Sequence, residues 1–265
     1  MDLRVVKEGQ RQMWGAADYA SVGARILLVS ELLCEAVDVR GGERVLDVAC
    51  GTGNAALAAS RRFADVTGVD FQPELLAHAR QRADAEGLPA RFDEGDAEDL
   101  PFEDDRFDVV LSACGAMFAP DQQRTADELV RVCRPGGRIG MVNWTPGSWV
   151  AEVGRTVGRY VPPPDGVPPP VRWGAQEHLH ALLGEVADVE APPRRFLFRF
   201  RSPEAHVDYL CTSYPPIATA LQALDERGQQ ALRADLLEIA AGLNLADDGT
   251  LVLPLEYLEV VATVR

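Results

Sequence analysis

Paired cysteine is missing from this sequence. Its five cysteines, Cys34, Cys50, Cys114, Cys133 and Cys211, are odd in number, scattered, and nowhere spaced C-x-x-C. That argues against a disulfide framework or a zinc finger and fits reduced, structural thiols. Histidine is as scarce: His78, His178, His180 and His206 show no metal-ligand spacing, and the alternation in HLH at residues 178 to 180 sends two imidazoles to different sides of a helix. No metal site is expected. No uncharged apolar run reaches the ~20 residues of a membrane span, and the opening MDLRVVKEGQ has no apolar signal core, so a cytoplasmic protein without a membrane partner is expected. Basic residues are also few, with 26 Lys and Arg against 41 Asp and Glu, a net charge of −15 and a pI near 4.7. A surface of that sign repels phosphate backbones, and no nucleic-acid partner is expected. The most basic stretch, RRFLFRFR at Arg194 to Arg201, alternates Phe with Arg and reads as a strand with one buried and one solvated face.

What the sequence does have is concentrated in VLDVACGTGN, Val45 to Asn54. Val45, Leu46 and Val48 form a short, β-branched-rich run suited to a central parallel strand covered on both faces. Asp47 interrupts it near its end. Gly51 and Gly53 permit a tight turn and close backbone approach to a ligand. Asn54 is placed to cap a helix from Ala55 to Phe63, whose free N–H groups attract a carboxylate or phosphate. GTGNAA also satisfies the GxGxxA dinucleotide fingerprint, with Asp70 near the position of a dehydrogenase's ribose-binding acid. On these residues alone a nicotinamide enzyme stays open.

The following elements widen the pattern. DVTGVDFQP, Asp65 to Pro73, reads as a second strand ending in Asp70, with Pro73 opening a helix through Glu74 to Ala85. ARFDEGDAEDLPF, Ala90 to Phe102, is a short strand whose end carries Asp96, Ala97 and Glu98. FDVVLSACGAMF, Phe107 to Phe118, is a buried strand followed by a helix from Asp121 to Cys133, the turn RPGG (Arg134 to Gly137) and the strand RIGMVNW (Arg138 to Trp144). Strands alternating with helices at this spacing imply a doubly wound parallel sheet. In such a sheet ligands lie beyond the carboxyl ends of the strands, so Asp47, Asp70 and Asp96 converge although far apart in sequence.

These residues resemble the class I S-adenosylmethionine (SAM)-dependent methyltransferases, in particular the group similar to ubiquinone and menaquinone biosynthesis methyltransferases. VLDVACGTG resembles that family's first motif and VDFQPELLAHAR its second. GDAEDLPFEDDRFDVVLS resembles its adenine-binding and fourth-strand region, and VCRPGGRIGMVNW the motif after its fourth helix. The dehydrogenase reading gives no account of Asp96-Ala97 or of RPGG. The resemblance implies SAM as cofactor and S-adenosylhomocysteine as product. It places the Gly51 and Gly53 turn under the methionine portion, Asp70 on the ribose hydroxyls, Phe71 against adenine, Asp96 and Ala97 at the adenine edge, and Asp47 near the α-ammonium group. Trp14 and Tyr19 would close over the cofactor, and Ala49, Glu98 and Ala113 complete the implied set. It further implies an α/β, Rossmann-like, mostly parallel seven-stranded sheet with N-terminal helices and a helical insertion before the last strand.

The whole of 1–265 is expected to form one methyltransferase domain, with a helical lid over 1–40 and substrate-cap segments at 145–175 and 203–250. Val22, Ile26, Val29, Leu32, Leu33 and Val37 recur at helical spacing within 18–38, an amphipathic helix that should pack on the sheet. Thr145 to Ala175 combines a short helix with two triple-proline runs and reads equally as surface connector or as cap, the latter supported by Trp149, Tyr160 and Trp173. Helices are expected at Glu204 to Thr212, Ile217 to Arg227 and Gln229 to Leu243, then a last strand around Tyr257 to Val264. The fourth strand leads into SACG, Ser112 to Gly115, and not the N/D-P-P-Y/F signature of many amino-methylating nucleic-acid enzymes. The acceptor is therefore expected to be a small, substantially apolar molecule enclosed by Met117, Phe118, Trp144, Trp173 and Tyr214. No general base is assignable, although His178, His206, Tyr209 and Tyr214 lie in segments that could reach the pocket. A non-catalytic SAM-binding sensor or partner subunit, or a SAM-using enzyme of another reaction type, stays open, as does the oligomeric state.

Overall fold

Runs of fully buried valine and leucine build the centre of the sheet, because side chains such as Val45, Leu46, Val48, Val109, Val110 and Leu111 leave neither strand face fit for water. The structure, a computed structural model, describes residues 3–265; Met1 and Asp2 of the expected lid lie outside the described residues. Strands β1 (Arg44–Val48), β2 (Asp65–Asp70), β3 (Arg91–Glu94), β4 (Phe107–Ala113) and β5 (Cys133–Trp144) pair in parallel in the order β3-β2-β1-β4-β5. β8 (Leu251–Val264) then lies antiparallel to β5. Beyond it, β6 (Ala187–Glu190) pairs with the end of β8 and β7 (Pro193–Phe200) with its beginning. The sheet thus has eight strands and not the expected seven, because β8 is long enough to carry two partners on its outer side. β7 is the alternating Phe-Arg segment: Phe198 is buried, while Arg195 and Arg199 are exposed.

Helices α4 (Asn54–Arg61), α5 (Pro73–Glu86) and α6 (Gln122–Val132) are the crossovers between the parallel strands. Three local readings change. The segment 18–38 is two helices, α2 (Tyr19–Arg25) and α3 (Leu27–Ala36), broken at Ile26, whose N–H bonds to the carbonyl of Gly23 three residues back. The break lets α3 pack on β5 and α4 while α2 turns away toward the cap. RPGG is no separate turn. Arg134 to Gly137 bulge out within β5, where the register jumps from Phe107–Cys133 to Val109–Arg138, and Arg134 Nε donates to Asp108 across the bulge at 2.7 Å. Asn54 makes no cap bond either, since Gly53, at φ +81°, occupies the N-cap position of α4. Asn54 instead donates to the Gly23 carbonyl at 2.8 Å, which ties the glycine turn to α2.

The N-terminal helix α1 (Leu3–Trp14) precedes α2. After β5 come α7 (Trp149–Tyr160), an exposed proline-rich connector over 161–170, a short 3-10 turn at Pro170–Gly174, and α8 (Gln176–Leu183). The late insertion is α9 (Pro203–Ser213), α10 (Pro215–Ala223) and α11 (Glu226–Gly242). α7 packs on α10 and α11, and Tyr160 donates its hydroxyl to Asp235 of α11 at 2.8 Å. α7 and α11 pack on β8 and α9 on β7, while α10 rests on α7, α9, α11 and α1. None of the described helices is long and apolar enough to cross a membrane.

Candidate functional site

The carboxyl ends of β1 to β4 open on a cavity of about 460 Å³ at the point where strand order reverses, a size within the roughly 300–1,000 Å³ of small-ligand sites. Its floor is the turn after β1. Ala49 (φ +52°) and Gly51 (φ +54°) both adopt left-handed backbone there, and Cys114 (φ +62°) does so after β4. The two turns touch: a Cβ added at Gly115 would lie 2.2 Å from the Ala49 carbonyl oxygen, so that position accepts only glycine.

Two carboxylates at strand ends are buried in this floor. Asp47, 1% exposed, accepts a hydrogen bond from the N–H of Ala56 at 2.8 Å and so caps α4 from nine residues upstream. Asp70, 5% exposed, accepts from Gly51 N at 2.8 Å and Gln72 N at 2.9 Å, fastening β2 to the glycine turn. Among the described residues neither forms an ion pair. Burial is therefore offset by backbone N–H bonds only, with no opposite charge. It pushes Asp47 up to about 7, with the Asp70 charge adding to the effect, and Asp70 up to about 6 against the opposing pull of its backbone bonds. Buried carboxylates in this condition favour a ligand that brings positive charge and hydrogen-bond donors. SAM, with its sulfonium, α-ammonium and ribose hydroxyls, matches that demand.

The roof is α1. Lys7 reaches across the cavity mouth to Asp96 at 2.5 Å and Glu98 at 2.6 Å, Arg11 pairs with Glu94 at 2.6 Å, and Gln10 donates to the Phe118 carbonyl at 2.9 Å. Gln72 donates to the Arg11 carbonyl at 2.9 Å from below. Trp14 packs edge-on against Tyr19 and Phe118 at 5.2 and 5.1 Å between centroids, closing the inner end.

A second, smaller cavity of about 40 Å³ lies behind that aromatic wall and shares Trp14, Tyr19, Ile26, Cys114 and Phe118 with the first. Trp144, Trp149, Phe198, Leu210, Tyr214 and Leu255 complete its lining together with Val22 and Val150, and none of these residues carries a charge. Its titratable groups, Tyr19, Tyr214 and Cys114, are all pushed up by burial, so each keeps its proton at neutral pH.

Of the residues expected around the cofactor, Trp14, Tyr19, Asp47, Ala49, Gly51, Asp70, Phe71, Asp96, Ala97 and Ala113 line the larger cavity. Gly53 and Glu98 do not. Gly53 turns its Cα toward Phe92 and Ala79 behind the turn, and Glu98, 6% exposed, is occupied by Lys7 and by the N–H of Asp121 at 2.7 Å. Of the expected acceptor residues, Phe118, Trp144 and Tyr214 line the smaller cavity, whereas Met117 and Trp173 line neither. Met117 is fully buried in the 3-10 turn after β4, and Trp173 is fully buried where the 3-10 turn before α8 packs against the end of β5. His178 is held by Gln122 at 2.7 Å and Tyr209 by Ser21 and Arg25, each at 3.1 Å. Sequence reasoning missed Lys7, Gln10 and Gln72, whose value depends on where α1 lands, and Cys114, whose place at the junction of both cavities follows from its left-handed turn.

The family model described as a methyltransferase domain matches residues 45–137, the strands and turns that form the larger cavity. An uncharacterised protein of Mycobacterium tuberculosis is 38% identical over 261 residues, covering 96% of this chain and 94% of its own. The demethylmenaquinone methyltransferase of Thermus thermophilus is 38% identical over 142 residues, 48% of this chain and 64% of that protein. The crystal structure of the YcgJ protein of Bacillus subtilis shares the fold at a TM-score of 0.64 and 21% identity, over 89% of this chain and 97% of its own. Sequence kinship across nearly the whole chain and a methyltransferase-domain match over the cavity-forming residues 45–137 lead to one family, and the chain belongs to the class I SAM-dependent methyltransferases, with SAM as its cofactor.

Proposed function

We propose that the protein moves the methyl group of SAM to a small, largely apolar acceptor held between the N-terminal lid and the cap helices α7, α9 and α10. The observation that carries this reading is the uncharged, aromatic lining of the smaller cavity, which adjoins the larger one through Tyr19, Cys114 and Phe118. Apolar walls with a few polar groups suit a small molecule better than a polypeptide or a nucleic acid.

In this reading Asp70 accepts from the ribose hydroxyls, Asp47 faces the α-ammonium group, Phe71 and Ala97 flank the adenine and Asp96 meets its edge. SAM supplies, when bound, a methyl group already activated by positive sulfur. The chain's own share is then alignment and exclusion of water. α1 shuts the mouth through Lys7 and Arg11, and the Trp14–Tyr19–Phe118 cluster sets the depth to which an acceptor can approach. Because Tyr19, Tyr214 and Cys114 keep their protons, none of them draws a proton from the acceptor.

A panel of phenols, aromatic amines and polyketide-like molecules offered with SAM tests the reading by mass spectrometry of the products. Tyr214→Ala should change acceptor use at least about tenfold, the scale of a large core aromatic removed from a contact surface, while S-adenosylhomocysteine affinity stays within about twofold of wild type. Methylation confined to an intact protein or nucleic acid would refute it.

A further inference from the structure

The cap buries polar atoms for which the protein provides no partner. Both ring nitrogens of His206 and the indole Nε1 of Trp149 are enclosed without a hydrogen bond from any side chain or backbone group. His206 is 0% exposed on α9 and is surrounded by rings: Phe200 at 4.7 Å, Trp149 at 5.0 Å and Phe198 at 6.1 Å between centroids. An aromatic nest of this kind is filled more favourably by Phe or Leu than by an imidazole, which loses its water without compensation. Native structures satisfy nearly all such groups, so an exception asks for a ligand or a reason.

The position of the nest supplies one. Trp149 and Phe198 also line the smaller cavity, so His206 stands behind the part of its wall that they form. At about 40 Å³ that cavity has room for little more than water in this state, and an aromatic acceptor must displace a side chain to enter. Trp149 is the side chain suited to move. It is the first residue of α7, directly after the N-cap Ser148 that holds the backbone, and its Nε1 has no hydrogen-bond partner, so its side chain can turn while the helix start stays in place. Swinging it aside would open the cavity onto the imidazole. Burial holds His206 down at about 4, so at neutral pH it is uncharged and offers one N–H and one lone pair.

Resting on the apolar-acceptor reading, we propose that His206 is the polar end of the acceptor site and hydrogen-bonds a hydroxyl group on an aromatic acceptor, with Trp149 as the movable partition. His206 is then a specificity-determining residue that selects hydroxylated aromatics over plain hydrocarbons, and no proton transfer to the reacting atom is required of it.

Naphthalene and 1-naphthol, titrated by calorimetry into the protein saturated with S-adenosylhomocysteine, provide the test. Wild type should bind 1-naphthol about tenfold tighter than naphthalene, the worth of one buried hydrogen bond. His206→Phe should bring the two affinities within about twofold while leaving naphthalene binding intact, and His206→Asn should restore part of the difference. With ring-¹⁵N histidine, 1-naphthol should move the imidazole signals of one histidine among the four, the one lost in His206→Phe, and naphthalene should not. This readout needs only the wild-type fold for its ligand response. Equal affinities for the two compounds in wild type, or a preference that survives in His206→Phe, would overturn the role of His206 alone. Failure of both compounds to bind wild type would overturn the apolar-acceptor reading and this inference with it.

Discussion

Replacing Asp47 with Asn should make the ligand-free protein more stable and at the same time poor at holding its cofactor. The carboxyl is 1% exposed, has no basic partner, and is pushed from the ordinary 3.8 to about 7. The folded chain therefore holds this proton more tightly than the unfolded one. Below about pH 4 both states are protonated and the group costs nothing. From pH 4 to 7 the unfolded state ionises alone, and stability falls as pH rises. Above pH 7 the folded state carries a buried charge and the full penalty stands. Three pKa units at 1.36 kcal/mol each put it at about 4 kcal/mol. Asn does not titrate, and its amide oxygen can still accept from the N–H of Ala56, so the cap on α4 survives.

Urea unfolding without ligand should therefore show Asp47→Asn more stable than wild type by about 2–4 kcal/mol at pH 8, the gain shrinking to about 1 kcal/mol at pH 4.5. The same variant should bind S-adenosylhomocysteine about tenfold or more weakly at pH 8, because a charge-assisted bond to the α-ammonium is reduced to a neutral one. Wild-type affinity should itself decline as pH falls below 7, since the proton and the ammonium group compete for one carboxylate. No gain at pH 8, or an equal gain at both pH values, would refute the claim that this carboxylate is held at a cost to the fold and compensated by a cationic ligand.

The cofactor half of the molecule was legible in the sequence because its determinants are local. A valine-rich run, an acid at its end and two glycines dictate strand, turn and helix within ten residues, and the sheet's topology brings Asp47, Asp70 and Asp96 to one edge wherever the rest of the chain goes. Asp47 shows where local reading stops. The strand that carries it is the expected one, yet Asp47 takes the capping role expected of Asn54, because the left-handed Gly53 shifts the helix start by one residue. The acceptor end was less legible, since its walls come from α2, β5, α7, β7, α9 and β8, and which aromatic faces inward is decided by packing between segments far apart in sequence. Trp173 and Trp149 are equally aromatic and lie in the same expected cap segment. Only the second reaches the cavity, because Gly174 lets the turn carrying Trp173 press against the Trp144 carbonyl at the end of β5. The eighth strand, β6, is hidden for a similar reason: the alternation over 194–201 predicts β7, whereas the four residues Ala187–Glu190 become a strand by pairing with the end of β8.

S-adenosylhomocysteine and SAM should raise the melting temperature and NAD should not, since a ligand at a hundred times its dissociation constant adds ~2.7 kcal/mol; a shift with NAD alone would reverse the cofactor assignment. Methyl transfer to an accepted substrate should survive chelation, because among the described residues no three His, Cys, Asp or Glu side chains gather as metal ligands and SAM has no phosphate for a metal to bridge; activity lost with EDTA and restored by magnesium would refute this. Asp70→Ala should weaken S-adenosylhomocysteine binding about 10- to 100-fold, through loss of charge-assisted bonds worth about 1.5–3 kcal/mol. Two effects combine there: the ribose hydroxyls lose their acceptor, and Gly51 N and Gln72 N lose the carboxylate that fixes the glycine turn against β2. Asp70→Asn separates them, because an amide oxygen can keep one of those backbone bonds while removing the charge, so it should retain the turn and fall between Ala and wild type. Wild-type affinity in Asp70→Ala would take Asp70 out of the binding site, and an Asn variant as weak as Ala would assign the whole effect to charge.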